Sequence, residues 1–318
     1  MKIVYNGEND KAFKESISAK IPEILEADEN VVYLDADLSS CSGTAGAIKE
    51  FERAINCGIA EANMAGIAAG LSSNGMKPII HSFGPFASRR CYDQIFMSGA
   101  YAGNSITVIG TDPGVTAAFN GGTHMPFEDM ALYRAIPGAY VIDPSDTAQF
   151  EDVLKKAIDL KGIKFIRVGR KNNKKLYEEG STFEIGKGVV VEERGTDCVI
   201  FACGIMVAKA LQAAETLAAE GINVTVVDMF TVKPLDEELV VKLARECGCV
   251  VTAENHNKIG GLRSAVSECL GQNLPTQIEY VAVEDEFGEV GPQDYLEERF
   301  DLMPDHIVRK VKAAINRK

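Results

Sequence analysis

The chain has 318 residues, 46% of them hydrophobic and 25% charged, with a formal net charge of −13. That length allows two domains of ordinary size, and the composition is that of a globular protein. The negative charge argues against nucleic acid as a main partner, because phosphate backbones need a basic surface. No apolar run approaches transmembrane length, and Met1 leads into a polar segment with Glu8, Asp10 and Lys11, not into a leader pattern. The eight cysteines are scattered, several of them inside apolar runs, as Cys198 and Cys203 are. That is the usage of a reduced cytoplasmic protein, with no membrane association expected. Cys247-Gly-Cys249 has no second Cys/His pair at a spacing that would complete a metal site.

In chain order, Phe13, Ile17, Ile21 and Ile24 predict a helix from about Asp10 to Asp28. VVYLDADL (31–38) is a strand ending in two aspartates, Asp35 and Asp37, followed by a Ser/Gly loop that contains Cys41. A helix runs from about Ala60 to Gly75, with Met64, Ile67, Ala68 and Leu71 as its apolar stripe. Strands follow at 77–83, 105–111, 140–146 and 164–170. Helices separate them, and a Gly-rich stretch spans 112–129. Strands alternating with helices predict a parallel, doubly wound sheet, with ligands at the carboxyl ends of the strands. Asp37, Phe83, Asp112, the 119–124 loop and Arg170 all fall at those ends.

The polar run 171–180 is the best linker candidate. We place the first domain at 1–172, the linker at 173–187 and the second domain at 188–318. In the second domain, GKGVVVEER and DCVIFACG read as a hairpin through Arg194-Gly195-Thr196. Helices near 206–219, 236–247 and 261–270 then alternate with strands at 223–228, 249–255 and 278–285. The expected fold class is α/β, two consecutive three-layer domains without internal repeat.

Four features could carry chemistry. Glu61 is an acid on an apolar helix face, either balancing the helix dipole in the first turn or buried to hold a ligand proton. Phe83 and Phe86 flank a Gly-Pro turn after a strand, where an aromatic can pack in the core or stack on a planar ring. His124 in Gly121-Gly122-Thr123-His124 is placed for acid–base work or hydroxyl binding, or is structural. Arg170 could clamp an anion, or be a solvated strand-end charge.

GIAEANMAGIAAGL (58–71) resembles the GIAEQNM-type segment of transketolases. The resemblance continues through SFGPFASRRCYDQI, NGGTH, the strand ending in RVGR, VDMFTVKPLD and TAENHNKIGGLRSAVSE. It covers essentially the whole chain and corresponds to the C-terminal half of a transketolase: the pyrimidine-binding domain and the domain after it. The Gly-Asp-Gly segment with which such enzymes bind diphosphate and Mg²⁺ does not occur here. The resemblance therefore implies one subunit of a split transketolase. It also implies thiamine diphosphate as the cofactor, with Mg²⁺ bound by a separate N-terminal, diphosphate-binding partner. A heterotetramer with two copies of each subunit is expected.

The same resemblance implies residue roles. Glu61 would hydrogen-bond N1′ of the aminopyrimidine and favour the tautomer that removes the thiazolium C2 proton. Phe86, with Phe83, would stack on the pyrimidine, and Asp37 and Ile59 would complete the cofactor contacts. His124 would contact the oxygens of the transferred two-carbon unit, making Glu61 and His124 the catalytic pair. Lys14, Cys41, Asp112, Asn120 and Arg170 occupy substrate-binding positions. Four of these depart from the family pattern: Asn120 stands for Asp, Asp112 for His, Cys41 for Ser and, through a looser correspondence, Lys14 for Arg. The cofactor half of the site is kept while the acceptor half is altered, so an unusual substrate preference is expected. The β subunit of a 2-oxo-acid dehydrogenase decarboxylating component, a 1-deoxyxylulose-phosphate synthase-like enzyme and a non-catalytic scaffold are the alternatives.

Overall fold

Four strands of the first domain, Val31–Asp35, Lys77–Phe83, Ile106–Thr111 and Ile163–Val168, are buried along almost their whole length. Strands apolar on both faces pair in parallel and need cover on both sides, and these do pair in parallel, one after another. One core forms where the helices Phe13–Ala27 and Thr147–Ala157 cover one face. The other forms where the helix Glu61–Ser73 and the 92–101 segment cover the opposite face. The computed structural model describes residues 1–318, the side chain of Asn172 excepted. Among the described residues no helix is long and apolar enough to cross a membrane.

The Glu61 helix begins right after Ala60 and buries Glu61, Met64, Ala65, Ala68 and Ala69. Two members of the expected stripe lie elsewhere: Ile67 is exposed and Leu71 only partly covered. The alanines give the close approach to the sheet, and Gly66, Ile67 and Gly70 face outward.

The second domain has a five-stranded sheet in the order Gln277–Val283, Cys249–Asn257, Cys198–Ala202, Val224–Asp228, Val189–Glu193. The expected hairpin is absent. Val189–Glu193 pairs antiparallel with Val224–Asp228, while Cys198–Ala202 lies between two parallel neighbours. The reason is burial: Cys198–Ala202 is covered at all five positions and suits the centre, whereas Val189–Glu193 is half exposed and takes the edge. Two helices close the chain, Gln293–Arg299 and Pro304–Asn316, the second packing on Met206–Ala219.

The domains are interwoven. Thr231–Lys233, from the second, adds an antiparallel edge strand to the first domain's sheet beside Tyr140–Ile142. The connecting run is packed rather than free: Asn172–Lys174 pairs with Asn9–Ala12, and Leu176 and Tyr177 are buried. Arg167 on a central strand is wholly buried. It donates to Asp129 (2.9 Å), to Asp143 (3.0 Å) and across the domain boundary to the carbonyl of Asn255 (3.1 Å). Removing one partner from such a cluster leaves a buried charge unpaired. This places the second domain firmly behind the loops at the strand ends.

Candidate active site

Glu61 is 1% exposed at the first turn of its helix. Its Oε1 accepts from Ser82 Oγ at 3.1 Å, and Arg90 Nη1 donates to both carboxylate oxygens at 3.1 and 3.0 Å. Glu61 thus lies in the first turn and is also buried. Phe83 ends its strand and Phe86 sits one turn on, in Gly84–Ser88, their ring centroids 6.4 Å apart. The Arg90 guanidinium lies over the Phe86 ring, 3.9 Å from its centroid. A buried carboxylate, an aromatic face and a planar N–H donor bound to both thus form one pocket.

His124 closes that pocket. It lies on the short turn Gly122–His124, with its ring 5.1 Å from Phe86 and 5.9 Å from Phe83, edge-on to each. Thr123 Oγ1 is 2.9 Å from its Nδ1. The second domain holds this loop in place. A Cβ on Gly122 would overlap the carbonyl oxygen of Gly288, and one on Gly121, where φ is +78°, would meet Val290. Further back, Asn255 donates to the carbonyl of Pro113 and accepts from the amide of Val115 (2.9 and 3.0 Å). Asn120 is exposed on the same loop.

The substrate-position residues form a rim beside Phe83. Arg170 Nε donates to Asp112 Oδ2 at 2.6 Å, its backbone amide donates to Oδ1 at 3.2 Å, and its guanidinium lies 4.8 Å from the Phe83 centroid. Burial raises the Asp112 pKa, and Arg170 pulls it back. The Lys14 amide bonds the Arg170 carbonyl and its Nζ bonds the carbonyl of Ser40, next to Cys41. On the other side, Asp37 and Asn56 bond each other through main chain and side chain (3.1 and 2.9 Å), and Asn56 accepts from Gly58 ahead of Glu61. Ile59 is 75% exposed there. The residues singled out in the sequence therefore gather around the carboxyl ends of the first sheet, with Lys14 at the start of the Phe13–Ala27 helix and Glu61 at the start of its own.

Three contributors are not evident from the sequence. Arg90 lies inside the SFGPFASRRCYDQI motif with no role of its own there, although its spacing of four from Phe86 is that of neighbours on a helix face. Ser82 reads only as part of a strand. The third is a buried set beneath the loops: His81 Nδ1 is 2.8 Å from Asp35 Oδ2 and Nε2 is 3.2 Å from Thr111 Oγ1. Tyr33 donates to Asp35 as well, and Leu38 N donates to Asp35 Oδ1 at 2.5 Å. This set pins the turn that carries Asp37 and Cys41. Its one signal in the sequence is polar residues inside otherwise apolar strands.

The profile of the transketolase pyrimidine-binding domain matches residues 10–175, and that of the transketolase C-terminal domain matches residues 186–307. The chain belongs to the transketolase family. It is 46% identical over 301 residues to the 6-deoxy-6-sulfo-D-fructose transketolase subunit SqwH of Clostridium sp. (strain MSTE9), covering 93% of this chain and 92% of that one. It is 32% identical over 277 residues to one of the subunits of the apulose-4-phosphate transketolase of Phocaeicola vulgatus, covering 86% and 88%. Among solved structures, a split-gene transketolase described as an inactive beta4 tetramer superposes with a TM-score of 0.88 at 39% identity, covering 96% of this chain and 98% of that one. The expected α/β architecture of two transketolase domains is the one observed. The chain is a transferase of the transketolase type, in a family that depends on thiamine diphosphate; two of the relatives named above are transketolase subunits and the third is a split-gene transketolase.

The pocket's chemistry fits that cofactor. A planar, N–H-bearing cation already lies on Phe86 and on the Glu61 carboxylate. An aminopyrimidine presents the same combination of a flat face and in-plane nitrogen groups.

Proposed function

We propose that this chain supplies the aminopyrimidine half of a two-subunit cytoplasmic transketolase, with Glu61 as the group that holds the proton at N1′. The single observation that carries this is a fully buried carboxylate beside an aromatic pair at the strand ends. A buried charge is costly even when paired, as Glu61 is with Arg90, so a helix kept only for packing would be better served by an apolar residue here. When bound, thiamine diphosphate supplies the carbanion chemistry of ketol transfer. This chain's residues do the rest. Phe86 and Phe83 hold the ring, Glu61 keeps a proton at the pyrimidine nitrogen, and His124 meets the sugar oxygens. Asp37 and Ile59 border the entry. Magnesium and the diphosphate belong to the partner subunit, since this sequence has no Gly-Asp-Gly segment.

The complex is a heterotetramer of two copies of each subunit, joined through the first domain. Supporting this, Gly66, Ile67 and Gly70 of the Glu61 helix are exposed, as are Ile59 before it and Met97 and Tyr101 beside it. These six residues are uncharged and lie near the mouth of the pocket. Light scattering of the mixed subunits tests it, and a fully active one-to-one heterodimer would contradict it.

For the substrate, we place a terminal monoanion, a sulfonate, at Lys14 and Arg170. Asp112 neutralises Arg170, which disfavours a phosphate dianion more than a singly charged group. The relative at 46% identity is named for a sulfo-sugar. The test is ketol transfer by the mixed subunits from 6-deoxy-6-sulfo-fructose, fructose 6-phosphate and xylulose 5-phosphate. Preference for the sulfonate supports the assignment; preference for either phosphate overturns it.

A further inference from the structure

The free chain does not leave Glu61 waiting for a ligand. Arg90 Nη1 contacts both of its oxygens, and the same guanidinium covers one face of Phe86 at 3.9 Å from the centroid. That separation is the thickness of one stacked plane, so no ring can share that face while Arg90 is there. A guanidinium is flat, carries in-plane N–H donors and stacks on aromatic rings. An aminopyrimidine protonated at its ring nitrogen has the same features. An acid beside an aromatic face will recognise either one.

We propose that Arg90 is an internal competitor for the pyrimidine pocket: in the free chain its guanidinium takes the place of the cofactor's ring, and it must swing out before the ring can seat. This rests on the pocket assignment made above. The physical need is plain, because an empty pocket would leave a buried carboxylate without a counter-charge. The means of release are also present. The Arg90 side chain is 43% exposed, and it sits on the short turn Arg89–Cys91. Among the described residues Glu61 is the only group it hydrogen-bonds. Ser82 Oγ donates to Glu61 separately from Arg90. The consequence follows from linkage: if only a minor fraction of free chains has the pocket open, the apparent affinity for the ring falls by that fraction. The competitor thus keeps the lone subunit from holding cofactor that it cannot use.

The test needs no turnover. The full-length chain is titrated calorimetrically with 4-amino-5-hydroxymethyl-2-methylpyrimidine, the ring without thiazolium or diphosphate. Wild type, R90A, R90M and F86A are compared, each checked for fold by circular dichroism. The expected result is about tenfold tighter binding, or more, in both Arg90 variants, with weaker binding in F86A. Methylguanidinium added to R90A should compete with the pyrimidine and return its apparent affinity towards that of wild type. Binding that F86A weakens but that R90A and R90M leave unchanged or weaken overturns the competitor while the pocket assignment stands. No binding in any variant, R90A included, overturns both.

Discussion

Asp112 and Arg170 act as one neutral unit: the guanidinium Nε lies 2.6 Å from the carboxylate, which also accepts the backbone amide of the same arginine. Asp112 holds φ at +58°, in the left-handed region where Asp and Asn are among the tolerated residues. Asp112→Asn therefore keeps the backbone while releasing the charge on Arg170. The expected outcome is a fall of about tenfold in the KM for phosphorylated substrates relative to sulfonated ones, on the order of 1–3 kcal/mol for a like charge removed a few ångströms away. Steady-state kinetics of the mixed subunits measures it. Equal effects on both substrate classes would show that Asp112 does not face the anion.

Phe86 touches both the guanidinium and His124. Phe86→Ala should weaken thiamine diphosphate binding to the mixed complex by about 1–3 kcal/mol. Calorimetry reads this directly, and an unchanged affinity with a lower kcat would place the ring elsewhere.

Gly122 is pressed against the carbonyl of Gly288. Gly122→Ala should push the His124 loop off the second domain and cut kcat by at least about tenfold, on the scale by which a small misplacement of a positioned group slows the reaction. The thermal midpoint should move much less than for a core substitution, because this contact joins two surface loops. Retained kcat would mean that the loop position is set from the first domain alone.

The residues of the candidate pocket are easy to find in the sequence because its parts are local: a helix start, a strand end with its turn, and a Gly-rich loop. Glu61, Phe86 and His124 each sit in a short motif whose secondary structure follows from spacing. What stays hidden depends on pairing between distant segments. Val189–Glu193 and Cys198–Ala202 look like partners because a turn joins them, and only burial sends one to the sheet edge and the other to the centre. Thr231–Lys233 is too short to announce that it completes the other domain's sheet. Asp112 and Arg170 are legible as two separate charges but not as a pair, since 58 residues separate them. The Asp35–His81 contact is lost in apolar strands for the same reason.

A buried acid gives a pH signature. Asp228 Oδ2 accepts from Gln149 Nε2 (2.9 Å) and the Tyr177 hydroxyl (2.7 Å), while its buried Oδ1 has no partner among the described residues. Burial pushes its pKa up to about 7, against about 3.9 in an unfolded chain. The folded state therefore binds the proton more tightly. The stability gained is fully present below about pH 4 and lost as pH rises through about 7. Asp228→Asn stays neutral, so its thermal midpoint relative to wild type should climb between about pH 4 and 7 and level off above that. A pH-independent difference would mean that Asp228 is ionised in the fold throughout.

The central claim is that Glu61 governs proton removal at the cofactor in a site completed by a second subunit. Hydrogen–deuterium exchange at C2 of bound thiamine diphosphate, followed by NMR after acid quench, measures that step without any sugar. The mixed wild-type subunits should exchange fast, and this chain alone should show no acceleration over the free cofactor. Glu61→Gln, nearly the same size, should assemble normally and bind cofactor yet lose the acceleration by at least about a hundredfold, in line with the usual worth of a positioned acid–base group. Exchange at the wild-type rate in assembled Glu61→Gln, or full acceleration by this chain without a partner, would contradict the account.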